Sequence, residues 1–187
     1  VVVGVSTGGP RVLEEMLSQL PADFPWPVLI AQHMPAAFTK PFAQRLDAAS
    51  EVTVVEVDKP MPLERGVVYL ARGGSDMVVT RRAGVLTALP RPEHAEHLWH
   101  PSVELLAQSV LANWDARATI AVMLTGMGND GAATFAEIRK AGGRTIAESE
   151  ESCVVFGMPG DLVQRGGASM VLPSERIARQ LISWTSR

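Results

Sequence analysis

The first ten residues of the chain constrain its fold more than any other stretch. Residues 1–5 are four valines and a glycine, a composition typical of a buried strand. Gly4, Ser6 and Gly8 have the Gly-x-Ser-x-Gly spacing of a nucleophile elbow, in which small neighbours let the backbone turn sharply and expose a serine. Pro10 is typical of the first turn of a helix. We therefore predict a strand, a tight turn that presents Ser6, and then a helix.

The same turn is compatible with a binding function that involves no catalysis. Backbone N–H groups at the start of a helix point into the space above Ser6, where they stabilise either an oxyanion or a phosphate. A nucleotide- or phosphate-binding module that uses the Gly4–Gly9 turn is therefore the alternative hypothesis. Against it, the turn lacks the Gly-Lys-Ser/Thr ending of triphosphate-binding loops, and Gln32 and His33 stand where a dinucleotide site prefers an acid.

Length and composition favour one globular domain over residues 1–187. The chain is 47% apolar, and its formal net charge of −3 provides no general attraction to nucleic acid or to anionic membranes. The longest apolar segment, residues 118–127, is about half as long as a membrane span, so we expect no membrane insertion. A single cysteine and the lack of a signal-peptide pattern at the start predict a cytoplasmic location.

Hydrophobic spacing predicts alternating strands and helices. Apolar residues at helical spacing from Val12 to Leu20 indicate a crossover helix, which implies a parallel neighbouring strand at Val28–Gln32. Further strands are predicted at residues 52–57, 66–71, 119–124, 144–147, 153–156 and 170–172, and further helices near residues 38–46, 103–110, 132–141 and 174–184. Residues 77–80 and 85–88 have the pattern of a hairpin. The predicted fold is α/β: a doubly wound, mostly parallel sheet with flanking helices and an antiparallel hairpin insertion.

Three of the predicted apolar strands lead into residues suited to acyl transfer. Ser6 follows the first strand, His33 follows the second, and Asp130 lies just beyond the most apolar one. Because ligand sites of open α/β sheets form at the carboxyl ends of the strands, we expect these side chains on one rim. The imidazole would take the serine proton, and the carboxylate would orient the imidazole. Backbone N–H groups near Thr7 and in residues 126–128 are candidates for stabilising the oxyanion.

Each of these residues also has a purely structural interpretation. Ser6 and Asp130 are suited to capping the helices that follow them, and His33 is suited to a hydrogen-bonded loop. Elsewhere, Cys153 is interpreted as a packing residue and the acidic residues 148–151 as a solvated turn. The placement of serine, histidine and aspartate at strand ends favours the catalytic interpretation.

The polar loop that precedes the helix near residue 103 contains residues for two other candidate sites, an alternative triad and a metal site. Ser6 with Asp76 and either His97 or His100 would reproduce the serine, acid, histidine order of α/β-hydrolases, but no core strand directs these histidines at Ser6. His94, His97 and His100 recur at every third residue, which raises the question of a metal site. Their spacing matches no helical metalloprotease motif, so we predict a solvated loop, no metal and no cofactor.

Five motifs give the chain a resemblance to a known family: residues 4–10 (GVSTGGP), 31–35 (AQHMP), 101–104 (PSVE), 124–132 (LTGMGNDGA) and 152–159 (SCVVFGMP). On these motifs the chain resembles the catalytic domain of the bacterial chemotaxis protein-glutamate methylesterase family. The resemblance extends over nearly the whole chain, and the histidine and aspartate motifs are far more specific than the glycine turn. Residues 70–77 depart from the family pattern at Arg72 and Asp76, which concerns loop geometry and substrate fit rather than the triad.

The resemblance implies a function and the residues that perform it. The catalytic triad would be Ser6, His33 and Asp130, and the backbone of Met127 would contribute to the oxyanion site. The implied substrates are methyl esters of glutamate side chains on the helical cytoplasmic region of chemoreceptors, with methanol as product and, in some members of the family, deamidation of receptor glutamines as a second activity. Such enzymes commonly carry an N-terminal receiver domain that regulates the esterase, and we expect none within these residues.

Overall fold

The computed structural model describes residues 1–186, which form a parallel sheet, a small antiparallel sheet and the helices around them. The strands are β1 (Val2–Val5), β2 (Val28–Gln32), β3 (Thr53–Val57), β4 (Met61–Pro62), β5 (Val67–Ala71), β6 (Asp76–Arg82), β7 (Val85–Arg91), β8 (Ile120–Met123), β9 (Arg144–Glu148) and β10 (Met170–Leu172). The helices are α1 (Gly9–Leu17), α2 (Ala36–Ala48), α3 (Val103–Asn113), α4 (Ala132–Lys140), α5 (Met158–Gln164) and α6 (Ser174–Thr185), with a 3₁₀ turn at Ala116–Ala118. None of these helices has the length and apolar character needed to cross a bilayer.

The main sheet has seven strands in the order β10-β9-β8-β1-β2-β5-β3, and every pairing in it is parallel. The hairpin of β6 and β7 joins β4 in a separate antiparallel sheet instead of extending the main one. This confirms the predicted α/β fold with an antiparallel hairpin insertion. Short β4, which contains Pro62, occupies an edge, where a residue without an N–H is tolerated.

Side chains on the two faces of the parallel sheet belong to two separate cores. In β1, Val3 and Val5 pack into the core formed with α1, α2 and α6. Val2 points to the opposite face and packs into the core formed with α3, α4, α5 and the hairpin. Because successive residues of a strand point to opposite faces, a strand buried on both sides must be apolar throughout. The valine run at the start of the chain meets that requirement.

One strand predicted from the sequence is absent from the structure, and helix α5 was not predicted. Residues 153–156 were predicted as a strand, but they are irregular, with a bend at Val154 and a single bridge between Gly126 and Phe156. Their backbone groups bond instead to neighbouring loops: the Val155 carbonyl accepts from the Gly126 amide at 3.0 Å, and the Cys153 amide donates to Ser149. The prediction was wrong because an apolar run does not reveal which partner will take its backbone hydrogen bonds. Helix α5 follows this segment.

Strand order reverses at β1, which fixes where a site can form. β2 lies on one side of β1 and β8 on the other. The chain therefore adds strands in one direction from β1 to β2, and in the opposite direction from β8 to β9 and β10. The register pairs Val5 with Gln32 and Gly4 with Met123, so the three strands end at nearly the same level. A crevice at the carboxyl ends of strands beside such a reversal is the usual ligand site of this architecture.

Candidate active site

The turn after β1 holds the backbone of Ser6 from several sides. The Ser6 amide donates to the Thr125 carbonyl at 3.0 Å, and the Ser6 carbonyl accepts from the Gly9 amide and from Gln32 Nε2, both at 2.9 Å. Ser6 does not cap α1: the N-cap is Gly8, with a φ of 86°, and no side chain caps this end. The helix-capping interpretation of Ser6 is therefore wrong, and within residues 1–186 its hydroxyl has no hydrogen-bond partner.

The loop after β8 lies directly against this turn. A Cβ atom at Gly126 would be 2.7 Å from the Ser6 Cβ and 3.0 Å from the Ser6 nitrogen, closer than side chains approach one another. Glycine at this position therefore allows the two loops to touch. The contact brings the residues that follow β8 to the residue that follows β1.

His33 and Asp130 form a buried hydrogen-bonded pair. Imidazole Nε2 lies 2.7 Å from Asp130 Oδ2, and only 9% of the His33 side chain and 4% of the Asp130 side chain are exposed. Because an ionised carboxylate only accepts hydrogen bonds, Nε2 carries the proton and Nδ1 presents a lone pair. Nδ1 is buried and has no partner among residues 1–186. Serine proteases commonly use the two nitrogens in the reverse sense, with the acid on Nδ1 and the serine on Nε2.

An open cleft of about 570 Å³ is lined by both Ser6 and His33. The predicted nucleophile and the predicted base therefore border the same space, although no hydrogen bond joins their side chains. Catalytic hydrogen bonds are often long without substrate and shorten when it binds. Of the three residues predicted from the sequence, the structure joins His33 to Asp130 directly and places Ser6 on the same cleft as His33.

The Asp130 carboxylate is bound to the N-terminus of α3. It accepts hydrogen bonds from the amides of Val103 at 2.7 Å and Glu104 at 2.9 Å, and from the Ser102 hydroxyl at 3.3 Å. Helix N-termini favour negative charge because their amides are unpaired and the helix dipole is positive there. The suggestion that Asp130 caps its own helix is wrong: that N-cap is Gly131, and the Asp130 side chain serves a different helix.

Trp99 is part of the site and was not predicted. Its ring stacks on the His33 imidazole with 5.4 Å between centroids and 5° between planes. It also packs over Gly128, where a Cβ would be 2.9 Å from the indole. Trp99 lies in a polar loop whose sequence has no hydrophobic periodicity, so only its contacts in the structure identify it as part of the site. Trp99 covers one face of the histidine and limits the orientations of the imidazole ring.

Replacing Trp99 with alanine should lower kcat for a reaction in which His33 takes a proton by about five- to tenfold, because a stacked aromatic contact contributes about 1 kcal/mol. Trp99→Phe retains an aromatic face and should lose less. Steady-state kinetics of both variants provide the measurement. An alanine variant with the kcat of the parent would show that the stacked ring does not orient His33.

Asp76 anchors the loop that carries Trp99. Its buried carboxylate accepts from the amides of His94 at 3.0 Å and Ser102 at 2.8 Å, and it lies 3.0 Å from His100 Nδ1. Asp76 and His100 thus pair with each other, and neither borders the cleft of Ser6. Among residues 1–186, no three His, Cys, Asp or Glu side chains are grouped so that they could hold a metal ion.

Thr7 and Met127, whose backbone amides were predicted to bind an oxyanion, both lie next to residues that contact or form the Ser6 turn. Within the described part of the chain, neither the Thr7 nor the Met127 amide donates a hydrogen bond to a protein acceptor. Thr7 directly follows Ser6, the predicted nucleophile. Met127 directly follows Gly126, and Gly126 contacts Ser6. Unpaired donors of this kind stabilise negative charge on a reacting carbonyl oxygen.

Glu148 and Cys153 lie together beneath the β8 loop. The prediction of a solvated turn for residues 148–151 is wrong at Glu148, which is fully buried. Burial raises the pKa of the Glu148 carboxyl, and hydrogen bonds from the Thr125 amide and the Ser152 hydroxyl partly oppose that effect. Burial and the nearby Glu148 also raise the pKa of the Cys153 thiol to about 12. Cys153 is therefore a neutral thiol near pH 7 and no competing nucleophile.

Comparison with known proteins shows what this chain is similar to. A family model described as CheB methylesterase matches residues 1–181. The chain is 54% identical over its whole length to protein-glutamate methylesterase/protein-glutamine glutaminase 3 of Rhodospirillum rubrum, and 53% identical over 98% of its length to enzyme 2 of that name from Rhodopseudomonas palustris. In both cases it covers 50% of the relative, so the chain spans about half the length of these curated proteins.

A solved structure has the same fold. The crystal structure of the Thermotoga maritima CheB methylesterase catalytic domain superposes with a TM-score of 0.93 at 38% sequence identity. The match covers 98% of this chain and 96% of that one. The fold, the family model and the relatives agree, and they give no support to the alternative of a non-catalytic nucleotide- or phosphate-binding module.

Proposed function

This chain belongs to the CheB methylesterase family, and from that premise we propose that residues 1–187 are the single catalytic domain of a protein-glutamate methylesterase. The proposed enzyme is a serine hydrolase that removes methyl groups from glutamate methyl esters and releases methanol. The observation that carries the proposal is the buried His33–Asp130 pair: His33 borders the same cleft as Ser6, and its Nδ1 has no partner among residues 1–186.

The first half of the reaction forms an acyl-enzyme. Ser6 Oγ attacks the ester carbonyl while His33 Nδ1 takes the hydroxyl proton, and the amides of Thr7 and Met127 bind the resulting oxyanion. When the tetrahedral intermediate collapses, His33 returns the proton to the departing methoxide, which leaves as methanol. The glutamyl group remains as an ester of Ser6. Asp130 orients the imidazole and stabilises its charged form throughout.

Water completes the cycle through the same residues. His33 takes a proton from the water as its oxygen attacks the acyl-serine carbonyl, and then returns a proton to Ser6 Oγ. The product is a free glutamate side chain. A glutamine substrate would follow the same two steps with ammonia as the leaving group, which accounts for the second activity in the names of the relatives. We include this deamidation in the proposed function.

The surface around the cleft supports a protein substrate. Phe38, Met127 and Val154 are apolar yet 60%, 66% and 67% exposed. Phe38 lines the cleft, and Val154 packs against Gly8 in the serine turn. Exposed apolar side chains grouped at one place are typical of interaction sites. The proposed partners are the methylated helices in the cytoplasmic region of chemoreceptors, which makes the cytoplasm the proposed location.

A receiver domain is the proposed regulatory partner. The two relatives quoted above are about twice as long as this chain, which leaves room in those proteins for a further domain. The family resemblance implies a phosphoacceptor receiver domain that restrains the esterase. We propose that the activity of this catalytic domain is controlled in the same way.

Release of methanol from a methylated receptor fragment tests the proposed function. The fragment is prepared with radiolabelled methyl esters on its glutamates, incubated with the protein, and the volatile radioactivity is counted. Release that saturates with substrate is the expected result. Calorimetric titration with common nucleotides is the parallel measurement, since saturable nucleotide binding without methanol release would overturn the proposal in favour of a binding module.

A further inference from the structure

A completely buried acid lies beneath the turn that carries Ser6, and the mechanism above does not use it. Glu148 is the last residue of β9. Its Oε2 accepts a hydrogen bond from the Thr125 amide at 2.8 Å, and its Oε1 accepts from the Ser152 hydroxyl at 2.9 Å. Burial of a carboxyl group is unfavourable unless its hydrogen bonds compensate, so a buried glutamate at the edge of a site requires an explanation.

Thr125 connects Glu148 to the serine turn. The Thr125 carbonyl accepts from the Ser6 amide at 3.0 Å, and the Thr125 hydroxyl donates to the Thr7 carbonyl at 2.9 Å. Thr125 is therefore bonded to the proposed nucleophile and to the residue that supplies one of the proposed oxyanion amides. Because Glu148 binds the amide of this same residue, the backbone of Thr125 is fixed on both sides of its Cα.

The same threonine also fixes the second oxyanion loop. Its hydroxyl accepts from the Val155 amide at 3.0 Å, and the Val155 carbonyl accepts from the Gly126 amide at 3.0 Å. Gly126 precedes Met127, whose amide is the other proposed oxyanion donor. Thr125 is thus bonded both to the turn of Ser6 and Thr7 and to Val155, which in turn binds Gly126. Glu148 is the side chain that accepts the hydrogen bond from the Thr125 amide.

We propose that Glu148 is a positioning residue for ester hydrolysis. It acts through Thr125 to hold the Ser6 turn and the Met127 loop in fixed positions relative to each other. The inference rests on the proposed function, because it concerns the same site. The carboxyl is buried away from the cleft, so it acts on the placement of Ser6 and the two oxyanion amides and not on substrate binding. Displacing reacting groups by about 1 Å costs roughly 10²-fold in rate.

The test compares Glu148→Gln with Glu148→Leu in methanol release and in the rate of Ser6 labelling by a fluorophosphonate probe. Glutamine keeps an acceptor for the Thr125 amide and should retain kcat within about threefold. Leucine has a similar volume but no acceptor, and it should lower kcat and the labelling rate by about 10- to 100-fold while KM changes by less than about threefold. Glu150→Gln is the matched control, since Glu150 is exposed on the adjoining turn and should behave like the parent.

Circular dichroism shows whether each variant is folded. A folded leucine variant with parental kcat and labelling rate overturns the inference, and so does one that changes only KM. If the leucine variant does not fold, Glu148→Asp compared with Glu148→Gln provides the test: aspartate is one methylene shorter and withdraws its acceptor from the Thr125 amide, so it should lower kcat about tenfold, and folded variants with equal kcat values overturn the inference. A parent that neither releases methanol nor reacts with the probe would instead overturn the proposed function.

Discussion

Replacing Ser6 with alanine is expected to lower methanol release by a factor on the order of 10⁵ to 10⁶. The hydroxyl proposed to form the acyl-enzyme is lost, and Cys153 is a poor substitute, because burial raises the pKa of its thiol to about 12. Residual hydrolysis would come from binding and from the oxyanion amides alone. Kinetics with the labelled receptor fragment provide the measurement.

The Ser6 variant should also remain folded. The Ser6 hydroxyl has no hydrogen-bond partner within residues 1–186, so its removal leaves no buried group unpaired. Ser18→Ala is a matched control, because Ser18 is an exposed serine beyond the end of α1 and should keep parental activity. A Ser6→Ala protein that is folded and retains more than a hundredth of the parental rate would contradict the nucleophile assignment.

Replacing Asp130 with asparagine is expected to lower kcat by roughly 10⁴-fold. Asp130 Oδ2 accepts from both His33 Nε2 and the Val103 amide, so an asparagine oxygen cannot satisfy all of the donors that the two carboxylate oxygens now accept. An amide NH₂ turned toward His33 would favour the tautomer with the proton on Nδ1. That tautomer has its lone pair on Nε2 and none on Nδ1, where the Ser6 proton would have to be accepted. The variant should therefore bind substrate with little change in KM.

Two comparisons separate catalysis from stability at this position. Thermal unfolding should show a modest loss, because hydrogen bonds from the α3 amides to a charged carboxylate are replaced by weaker ones to a neutral amide. Asp58→Asn, a change at an exposed carboxylate, should leave both kcat and the midpoint of unfolding as in the parent. Parental kcat in Asp130→Asn would show that His33 does not depend on this carboxylate.

The sequence predicted the fold and the site best where the hydrophobic pattern and the order of strands and helices lead to the same conclusion. Valine-rich β1, the crossover helix α1 and apolar β8 predicted parallel neighbours, and parallel neighbours place their carboxyl ends together. That reasoning placed Ser6 and His33 at one rim from strand ends alone. The pairing of His33 with Asp130 also follows from it, but the choice of Nε2 by the carboxylate does not, because it depends on side-chain orientation.

Sequence reasoning failed where contacts distant along the chain decide the environment. Glu148 belongs to an acidic run that resembles a solvated surface, yet it ends a buried strand and finds its partners at Thr125 and Ser152. Trp99 stands in a polar loop, and its stacking on His33 depends on Asp76 holding that loop. Neither residue carries a local signal, because hydrophobic periodicity reports which face of an element is buried and not which loop folds over it.

Mapping the covalent adduct of a fluorophosphonate probe tests the central assignment most directly. The protein is labelled, digested and sequenced by mass spectrometry, with Asp130→Asn and Ser6→Ala treated in parallel. One modified serine, Ser6, is expected, with much slower labelling in Asp130→Asn and none in Ser6→Ala. An adduct on another residue, or equal labelling of Ser6→Ala and the parent, would contradict this assignment.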